Sequence, residues 1–383
     1  MKIGLIKRSF RLHGGRERQI SYLIEGLLAQ GHAVHLFSEQ FPPAEGLEGI
    51  TYHTLPALPM PRACRALGFA MMVRSALRRA ELPLVQSFER TLGQHIYRAG
   101  EGVHREWLWR KRRSLSVLGR IWSHLSLFDR VTLALERRAL CETPMIVTIA
   151  QRGQYDIRQH YGVPPRRMQT IYNGVDCDRF NVEVRRRFRE TQRAVWGVAA
   201  AEVVLLSVGS GFHRKGLDCT IKALGQLQRR GFSHVRLVVV GKGHVRPYRR
   251  LACRVGVGDV VRFDGQRDDV ERCYAGADLF VLPTRYEPFG NACLEAMACG
   301  LPVLTTVASG AAELLRDGLN GRVLGDMPSA ETLADTLQGL LPAEPRRAMG
   351  EAAQRTAEEY PLGRMLMHTL QVYETVANQA VAV

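Results

Sequence analysis

The sequence predicts an α/β protein made of two doubly wound, Rossmann-like domains. The chain has 383 residues, which is long for one domain and sufficient for two, each with its own core. Residues 2–37 follow the order strand, glycine loop, helix and strand, which is typical of a βαβ unit with a parallel sheet. The same alternation begins again at residues 203–208. These observations place one domain in each half of the chain.

The first half begins with a strand at residues 2–6 and a loop that carries Gly14-Gly15. A helix is expected from about residue 16 to residue 29, ending at Gly31. The glycine pair lets the backbone approach a phosphate or a sugar closely. A plain turn is the alternative, because the pair lacks the full dinucleotide-binding fingerprint.

The rest of the first half continues the alternation of strands and helices. Strands are predicted at residues 84–87, 145–150 and 168–172, and a helix at 151–161. The turn pair Asn173-Gly174 follows the last of these strands. The charged, irregular stretch at residues 178–193 predicts an exposed linker. We therefore place the domains at residues 1–172 and 173–361.

The second half repeats the pattern more regularly. Strands are predicted at residues 203–208, 235–240, 260–263 and 279–283, and helices at 217–228, 269–277, 291–299 and 330–341. Three strand ends are followed by glycine or a polar residue: Gly209, Gly265 and Glu287. Ligands of doubly wound sheets bind at the carboxyl ends of the strands. We expect the binding site of this domain at that edge.

Two glutamates bracket the junction after the strand at residues 279–283. Glu287 lies on the loop, and Glu295 lies one turn inside the following helix, on the side of the same opening. A carboxylate accepts two hydrogen bonds and suits a vicinal diol, so the pair could hold two diols with a diphosphate between them. The alternative is one solvated glutamate before a helix and another on its surface.

The helix begins in the backbone between these two glutamates. The N–H groups of Phe289, Gly290 and Asn291 are expected at the helix N-terminus, which attracts anions. Together with the two carboxylates, they predict a site for a ligand that combines phosphate and sugar hydroxyls.

Charge is distributed unevenly. The net charge is +16, and residues 1–170 carry 26 Lys and Arg against 13 Asp and Glu. This asymmetry assigns an acidic partner to the first half: an anionic membrane surface, a phosphorylated glycolipid or a nucleic acid.

The basic residues concentrate at residues 105–138. Nine Lys and Arg stand there against three acids, with Trp107, Trp109 and Trp122 interleaved. Basic residues mixed with tryptophan and leucine at near-helical spacing favour an interfacial helix on anionic lipid. An ordinary amphipathic helix with a basic, solvated face is the alternative. Nothing resembles a module that reads DNA or RNA, so no nucleic acid is expected.

Cysteine usage and the N-terminus indicate the compartment. The eight cysteines lie mostly in apolar stretches and form no C-x-x-C pair, so we expect buried free thiols and no metal site. Lys7, Arg8 and Arg11 interrupt any apolar region of a signal peptide. No apolar run reaches the length of about 18 residues that spans a bilayer. We therefore expect an intracellular protein.

The segment Arg285-Tyr286-Glu287-Pro288-Phe289-Gly290-Asn291, with the helix and the Gly300-Leu301-Pro302-Val303 run that follow, resembles the nucleotide-sugar signature of retaining glycosyltransferases of family 4. The similarity extends over most of the chain and is greatest to the lipopolysaccharide-core glucosyltransferase I group. It implies the GT-B fold, in which two Rossmann-like domains face each other across a cleft. It also implies that a final helix, from about residue 362, crosses back to the first domain.

The resemblance implies roles for residues of the second domain. Arg214 and Lys215, after the Gly209-Ser210-Gly211 loop, match the pair that grips the donor diphosphate. Glu287 is expected to bind the hexose hydroxyls and Glu295 the ribose. Arg267 lies where similar enzymes read the base, although a solvated side chain is equally consistent with the sequence.

The resemblance also implies the acceptor side and the reaction. Glu101 and His104 fall where related enzymes place a polar residue facing the reacting carbon, and His104 could equally be a surface histidine. Retention is expected through same-face attack, in which a diphosphate oxygen assists deprotonation. A double displacement would need a nucleophilic carboxylate near the anomeric carbon, and the sequence identifies none.

The expected function is transfer of a hexose, first of all glucose, from a UDP-sugar to the phosphorylated inner core of lipopolysaccharide. No cofactor other than this donor substrate is expected. The enzyme would act on the inner face of the cytoplasmic membrane. Two alternatives remain: another glycolipid or soluble sugar as acceptor, or a basic peripheral membrane protein without catalysis.

Overall fold

The computed structural model describes residues 1–10, 15–41, 49–57, 59–113 and 126–381. The chain divides into two compact units. The first unit contains Met1–Asn173 and Gly363–Val383, and the second contains Gly174–Leu362. No helix in the described ranges combines the length and the apolar character needed to cross a membrane.

The first unit is built on a parallel sheet with the strand order β3-β2-β1-β4-β5-β6-β7. Its strands are β1 (Lys2–Ile6), β2 (Ala33–Ser38), β3 (Ile50–Thr54), β4 (Leu84–Ser87), β5 (Ile96–Arg98), β6 (Met145–Thr148) and β7 (Met168–Thr170). Leu5 and Ile6, which are consecutive in β1 and therefore lie on opposite faces of the sheet, are fully buried, as is Ile96. Apolar side chains on both faces are what a parallel sheet covered by helices requires.

Helices connect the strands of the first unit. They are α1 (Gly15–Ala29), α2 (Arg62–Ala80), α3 (His104–Arg113), α4 (Leu127–Glu142), α5 (Gln151–Tyr161) and the C-terminal α13 (Leu362–Val381). A Cβ added at Gly26 would lie 2.3 Å from a methyl group of Leu366, so α1 and α13 pack closely at this glycine. The C-terminal helix is therefore part of the core of the first unit.

The second unit is built on a parallel sheet with the order β10-β9-β8-β11-β12-β13. Its strands are β8 (Val203–Val208), β9 (Val235–Val240), β10 (Val261–Gly265), β11 (Leu279–Leu282), β12 (Val303–Thr306) and β13 (Gly321–Leu324). Its helices are α6 (Val182–Trp196), α7 (Leu217–Arg229), α8 (Val245–Arg254), α9 (Val270–Gly276), α10 (Asn291–Ala298), α11 (Ala330–Gly339) and α12 (Ala343–Glu358).

The stretch that we predicted to be an exposed linker is helical, so that prediction is wrong. Asn181 caps α6 by accepting a hydrogen bond from the backbone N–H of Val184 at 2.8 Å. Arg189 and Arg193 of α6 form ion pairs with the buried Asp278 at 2.6 and 2.9 Å. The charges therefore anchor the helix to the second unit, and an arginine-rich stretch is no sign of an exposed linker here.

One strand was not predicted, and one other expectation needs correction. The short strand β5 lies between the predicted strand at residues 84–87 and the basic region at residues 105–138, where no element was predicted. All eight cysteines are free, but Cys64, Cys141 and Cys253 are exposed, so the prediction of buried thiols fails for these three.

Candidate functional site

The carboxyl edge of the second sheet carries the residues predicted to bind a nucleotide sugar. β8 and β11 are neighbours in the sheet, and the connections that leave them lead to opposite sides. Such a switch point is where doubly wound sheets bind ligands. The loop after β8 contains Gly209, Arg214 and Lys215, and the loop after β11 contains Glu287.

Arg214, Lys215 and Glu287 form one cluster, which we call the Arg–Lys–Glu cluster. Arg214 Nη1 and Lys215 Nζ both donate to Glu287 Oε2, at 2.8 and 2.9 Å. Arg214 Nη1 also donates to the backbone carbonyl of Tyr286 at 2.9 Å. The fold thus joins residues more than 70 positions apart at one point. Charge-assisted hydrogen bonds of this kind are among the strongest in proteins.

Two glycines allow the Arg–Lys–Glu cluster to form. A Cβ added at Gly209, where φ is +131°, would lie 2.3 Å from Cε of Lys215. The Lys215 side chain therefore passes directly over the Gly209 backbone. At Gly216, where φ is +72°, a Cβ would lie 2.0 Å from the carbonyl oxygen of Pro283. Only glycine fits both the conformation and the contact at these positions.

The backbone around Glu287 is fixed by the neighbouring strand connection. Its N–H donates to the carbonyl of Ala308 at 2.9 Å, and its carbonyl accepts from the N–H of Gly310 at 3.0 Å. Burial raises the pKa of the Glu287 carboxyl, but the charges and hydrogen bonds of Lys215 and Arg214 outweigh burial, so the pKa lies below its ordinary value. Glu287 is thus held as a carboxylate in a rigid loop.

Glu295 lies in α10 and accepts a hydrogen bond from the hydroxyl of Tyr274 at 2.8 Å. Burial raises the pKa of Glu295, and the Tyr274 hydrogen bond and the charges of Arg179 and Lys215 oppose burial only in part. The charge of Lys215 acts on both Glu287 and Glu295. Lys215 thus favours the ionised form of both carboxyls, but the pKa is lowered for Glu287 and raised for Glu295.

The start of α10 has the backbone form that the sequence predicts. Gly290 precedes the helix with φ +100°, and α10 begins at Asn291. A Cβ at Gly290 would lie 3.3 Å from Cγ of Glu287, so this glycine packs against the Glu287 side chain. Phe289 is buried, and its carbonyl accepts from the hydroxyl of Ser309 at 2.9 Å. The helix N-terminus therefore opens directly beside the Arg–Lys–Glu cluster.

Arg267 is engaged by acidic neighbours. Its Nε and Nη2 each donate to a different carboxylate oxygen of Asp269, both at 2.7 Å, and Asp264 lies 3.6 Å from Nη1. The hydrogen bonds with Asp269 raise the pKa of the Arg267 guanidinium. The side chain is neither freely solvated nor open for a new bidentate contact, so its predicted reading of a base stays a prediction.

The two residues predicted for the acceptor side, Glu101 and His104, have different side-chain partners. Glu101 accepts from Arg90 Nη1 at 2.6 Å and lines a cavity. His104 begins α3, where its Nε2 lies 2.9 Å from Oδ1 of Asp129. Burial and the charge of Arg90 lower the pKa of His104 despite this partner. Gly14 lies outside the described residues, and Gly15 is the first residue of α1.

The cavity that Glu101 lines has a volume of about 260 Å³ and was not predicted from the sequence. It lies at the carboxyl edge of the first sheet and takes residues from the ends of β1, β4 and β5 and from α1 and α13. Its polar lining includes Lys7, Arg8, Glu17, Glu89, Arg98, Glu101 and Asn173. Arg98 donates to the side-chain oxygen of Asn173 at 2.9 Å. The cavity forms because β1, β4 and β5 are adjacent in the sheet, and a sequence pattern does not reveal which strands are adjacent.

The basic region at residues 105–138 contains parts of α3 and α4. Arg105, Trp109 and Arg113 are exposed and four residues apart, so they share one face of α3. The Arg113 guanidinium lies 4.9 Å from the centre of the Trp109 ring. Trp122 and the rest of residues 114–125 lie outside the described residues.

No group of three or more His, Cys, Asp or Glu side chains in the described ranges is arranged to hold a metal ion.

Comparison with known proteins agrees with this architecture. Residues 13–179 match the family model Glycosyltransferase Family 4, and residues 188–356 match Glycosyl transferases group 1. The lipopolysaccharide glucosyltransferase WaaG of Escherichia coli strain K12 is 28% identical over 350 residues, which cover 91% of this chain and 92% of that protein.

Solved structures give the same result. The crystal structure of WaaG, described as a glycosyltransferase involved in lipopolysaccharide biosynthesis, superimposes with a TM-score of 0.83 at 27% identity, covering 97% of this chain and 99% of the other. Anabaena HepE in complex with UDP-glucose has a TM-score of 0.73 at 21% identity, covering 98% and 100% of the two chains, and so shares the fold. The chain therefore belongs to the glycosyltransferases that join a family 4 domain to a group 1 domain in the GT-B fold.

Proposed function

We propose that this glycosyltransferase moves a hexose, first of all glucose, from a UDP-sugar to the phosphorylated heptose inner core of lipopolysaccharide. The observation that carries the proposal is the Arg–Lys–Glu cluster beside the N-terminus of α10. Cations, a carboxylate and a helix N-terminus meet there at the switch point of a doubly wound sheet.

The cluster suits the charge that develops during the reaction. When a sugar leaves a nucleotide diphosphate, negative charge grows on the leaving diphosphate and must be stabilised. Arg214 can bind phosphate oxygens through a planar fork, and Lys215 acts as a compact point charge. These two cations and the α10 N-terminus would perform this task without a metal ion.

The two glutamates would hold the sugars of the donor. Glu287, whose carboxyl is ionised beside two cations, would accept hydrogen bonds from the hexose hydroxyls. Glu295, which lies one turn inside α10, would accept hydrogen bonds from the ribose hydroxyls. We propose retention by same-face attack, with a diphosphate oxygen taking the proton of the acceptor hydroxyl as the new glycosidic bond forms.

The first half of the chain supports a phosphorylated acceptor at a membrane. It carries 26 Lys and Arg against 13 Asp and Glu, and α3 exposes tryptophan between arginines on one face. Such a face suits anionic lipid, which lies on the cytoplasmic side of a bacterial inner membrane. E. coli WaaG, similar over 91% of this chain, is a lipopolysaccharide glucosyltransferase.

A panel of UDP-sugars, incubated with the enzyme and with membranes that lack the outer core, tests the proposal. We expect one UDP-sugar to add a single hexose to the inner core, with a mass increase that identifies the sugar. Transfer to a different glycolipid or to a soluble sugar instead would contradict the proposed acceptor but not the proposed donor. Binding to anionic vesicles without turnover of any UDP-sugar would contradict the enzymatic proposal and favour a non-catalytic membrane protein.

A further inference from the structure

The cavity of the first unit lies at a switch point of its own. β1 and β4 are neighbours at the centre of the sheet, and the chain leaves them in opposite directions, through α1 and through the loop to β5. Lys7, Arg8 and Ser9 follow β1, and Phe88 and Glu89 follow β4, and all five line the cavity. This is the position at which a doubly wound sheet binds its ligand.

The loop that carries Glu89 is held rigidly. The hydroxyl of Ser87 donates to the carbonyl of Glu89 at 2.8 Å and accepts from its N–H at 3.1 Å. Thr91 donates to the same hydroxyl at 2.6 Å, and the N–H of Phe88 donates to the carbonyl of Ile6 at 2.9 Å. The backbone therefore fixes where the Glu89 side chain begins.

The three carboxyl groups of the cavity differ in their partners. Glu17 forms an ion pair with Lys7 at 3.4 Å, and Glu101 forms one with Arg90 at 2.6 Å. Glu89, in contrast, forms no ion pair with any described residue, and its Oε1 accepts only a long hydrogen bond, 3.4 Å, from the backbone N–H of Arg8. Glu89 thus has more hydrogen-bonding capacity left for a ligand than the two ion-paired carboxyls have.

The chemistry of the lining indicates the class of ligand. Glu89 and Glu101 offer carboxylate oxygens, Arg98 and Asn173 form a buried polar pair, and Ile20, Leu23 and Phe88 supply apolar surface. Hydrogen-bond acceptors and donors beside apolar side chains suit a sugar ring, whose hydroxyls donate and accept and whose C–H faces pack on apolar groups. About 260 Å³ is room for one ring.

We propose that Glu89 binds a hydroxyl group of the acceptor sugar in this cavity and thereby determines which acceptor is used. The inference rests on the proposed function, because it assigns a residue to the acceptor of that reaction. The hydrogen bond to a carboxylate is charge-assisted and stronger than one to a neutral oxygen. Binding of the acceptor would therefore require Glu89 in its ionised form.

The surroundings of Glu89 make this requirement depend on pH. Burial and then the negative charge of Glu101 raise the pKa of Glu89 to about 7, against the opposing charges of Arg8 and Arg90 and the hydrogen bond from the Arg8 N–H. The other charged groups lining the cavity are Lys7 and Glu17, which neutralise each other, and Arg98. Acceptor binding should strengthen as the pH rises through about 7.

The experiment compares the full-length enzyme with Glu89→Gln, which keeps the size of the side chain but cannot ionise. With core-truncated lipopolysaccharide as acceptor and UDP-glucose as donor, Glu89→Gln should raise the acceptor KM roughly tenfold, the loss of about 1.4 kcal/mol of a charge-assisted bond. The donor KM should stay unchanged, and the pH dependence of acceptor kcat/KM near 7 should disappear. Glu142→Gln, an exposed carboxyl of the first unit that lies outside the cavity and pairs with Arg138, is the control and should behave like the wild type.

A second readout does not depend on turnover. The oligosaccharide released from core-truncated lipopolysaccharide is titrated into wild type and Glu89→Gln, and melting curves verify that both are folded. Weaker binding by Glu89→Gln supports the inference. Equal binding by both proteins, or binding by neither, overturns it. Absence of transfer by the wild type would instead contradict the proposed function, so the two failures are distinct.

Discussion

The two units place a glutamate at equivalent points and treat it in opposite ways. Glu89 follows β4, which pairs with the first strand of its sheet, and Glu287 follows β11, which pairs with the first strand of its own sheet. Glu287 meets two cations within 2.9 Å, and its pKa is lowered. Glu89 lacks a described ion-pair partner, and its pKa is raised to about 7.

The difference shows that the strand order places a carboxyl group at the edge of each sheet, and that the neighbouring side chains determine the pKa of that group. The loop after β8 brings Arg214 and Lys215 to Glu287. Among the described residues of the loop after β1, the backbone N–H of Arg8 is the one donor within hydrogen-bonding distance of Glu89. A permanently ionised group suits a donor bound through hydroxyls and phosphates, and a titrating group suits an acceptor whose binding responds to pH.

The largest effect is expected from removing the carboxylate of the second unit. Glu287→Ala should abolish sugar transfer, because the hexose loses the group that holds its hydroxyls while the two cations remain to bind the diphosphate. Initial rates with UDP-glucose and core-truncated lipopolysaccharide measure this. Glu313→Ala is a control in the same unit, on the 3₁₀ turn after β12. A variant at position 287 with more than a tenth of wild-type activity would refute the role of Glu287.

Removing one of the two cations that pair with Glu287 should have the next largest effect. Lys215→Ala should lower kcat about a hundredfold to a thousandfold, since one preorganised contribution to the leaving diphosphate is lost. It should also destabilise the protein, by less than the roughly 3–5 kcal/mol that follows when a buried charge loses its sole partner, because Glu287 keeps Arg214. Turnover assays and urea unfolding measure both, with the exposed Lys222→Ala as control. Loss of stability with normal turnover would reduce Lys215 to a structural role.

Gly209→Ala tests the Arg–Lys–Glu cluster by placing a methyl group where the Lys215 side chain lies. The new Cβ would collide with Cε of Lys215 at 2.3 Å and displace the ammonium from Glu287. We expect turnover to fall roughly tenfold to a hundredfold. Gly197→Ala is the matched control, because Gly197 also has a positive φ, +66°, but its Cβ would meet no atom within 4 Å. Equal losses in both variants would mean that backbone strain alone explains the effect.

The smallest expected effect is a change in how the free energy of unfolding depends on pH. A carboxyl whose pKa is raised on folding stabilises the folded state below its unfolded pKa, and this contribution is lost as the pH rises through the folded pKa, here about 7. Glu89→Gln should therefore become more stable than the wild type, by roughly 1–3 kcal/mol, between pH 5 and pH 8.

Urea unfolding at pH 5, 6.5 and 8 measures this difference. Glu142→Gln, which removes an exposed carboxyl paired with Arg138, should show no such trend. The pKa of Glu287 is lowered, so the stability from its ion pairs should stay constant over the same range and fall only in more acidic solution. A pH-independent difference for Glu89→Gln would remove the contrast between the two glutamates.

The sequence predicted the second unit better than the first for a physical reason. Glu287, Gly290 and Glu295 lie within one strand–loop–helix segment, so their spacing alone indicates a common opening. Arg214 and Lys215 lie on the neighbouring strand connection, where glycines mark the loop. Each of these signals is local in the chain, and the regular strands make the edge of the sheet easy to locate.

In the first unit the signals are not local. Arg8, Glu89 and Arg98 meet only because β1, β4 and β5 are adjacent in the sheet, and β5, with three residues, is too short for a clear pattern. The second unit has one failure of the same kind. The stretch at residues 178–193 was misread because its arginines resemble those of a solvated linker, whereas the partner of Arg189 and Arg193 is Asp278, more than 80 residues away. Long-range ion pairs leave no periodic trace in a sequence.

A calorimetric titration of UDP into the wild type, Glu287→Ala and Glu295→Ala tests the central claim most directly. We predict one binding site in the wild type, nearly unchanged affinity in Glu287→Ala, and affinity about tenfold to a hundredfold weaker in Glu295→Ala, which loses the hydrogen bonds to the ribose. Equal weakening in both variants would contradict the separate roles of the two glutamates. Absence of binding of any uridine nucleotide to the wild type would contradict the donor site itself.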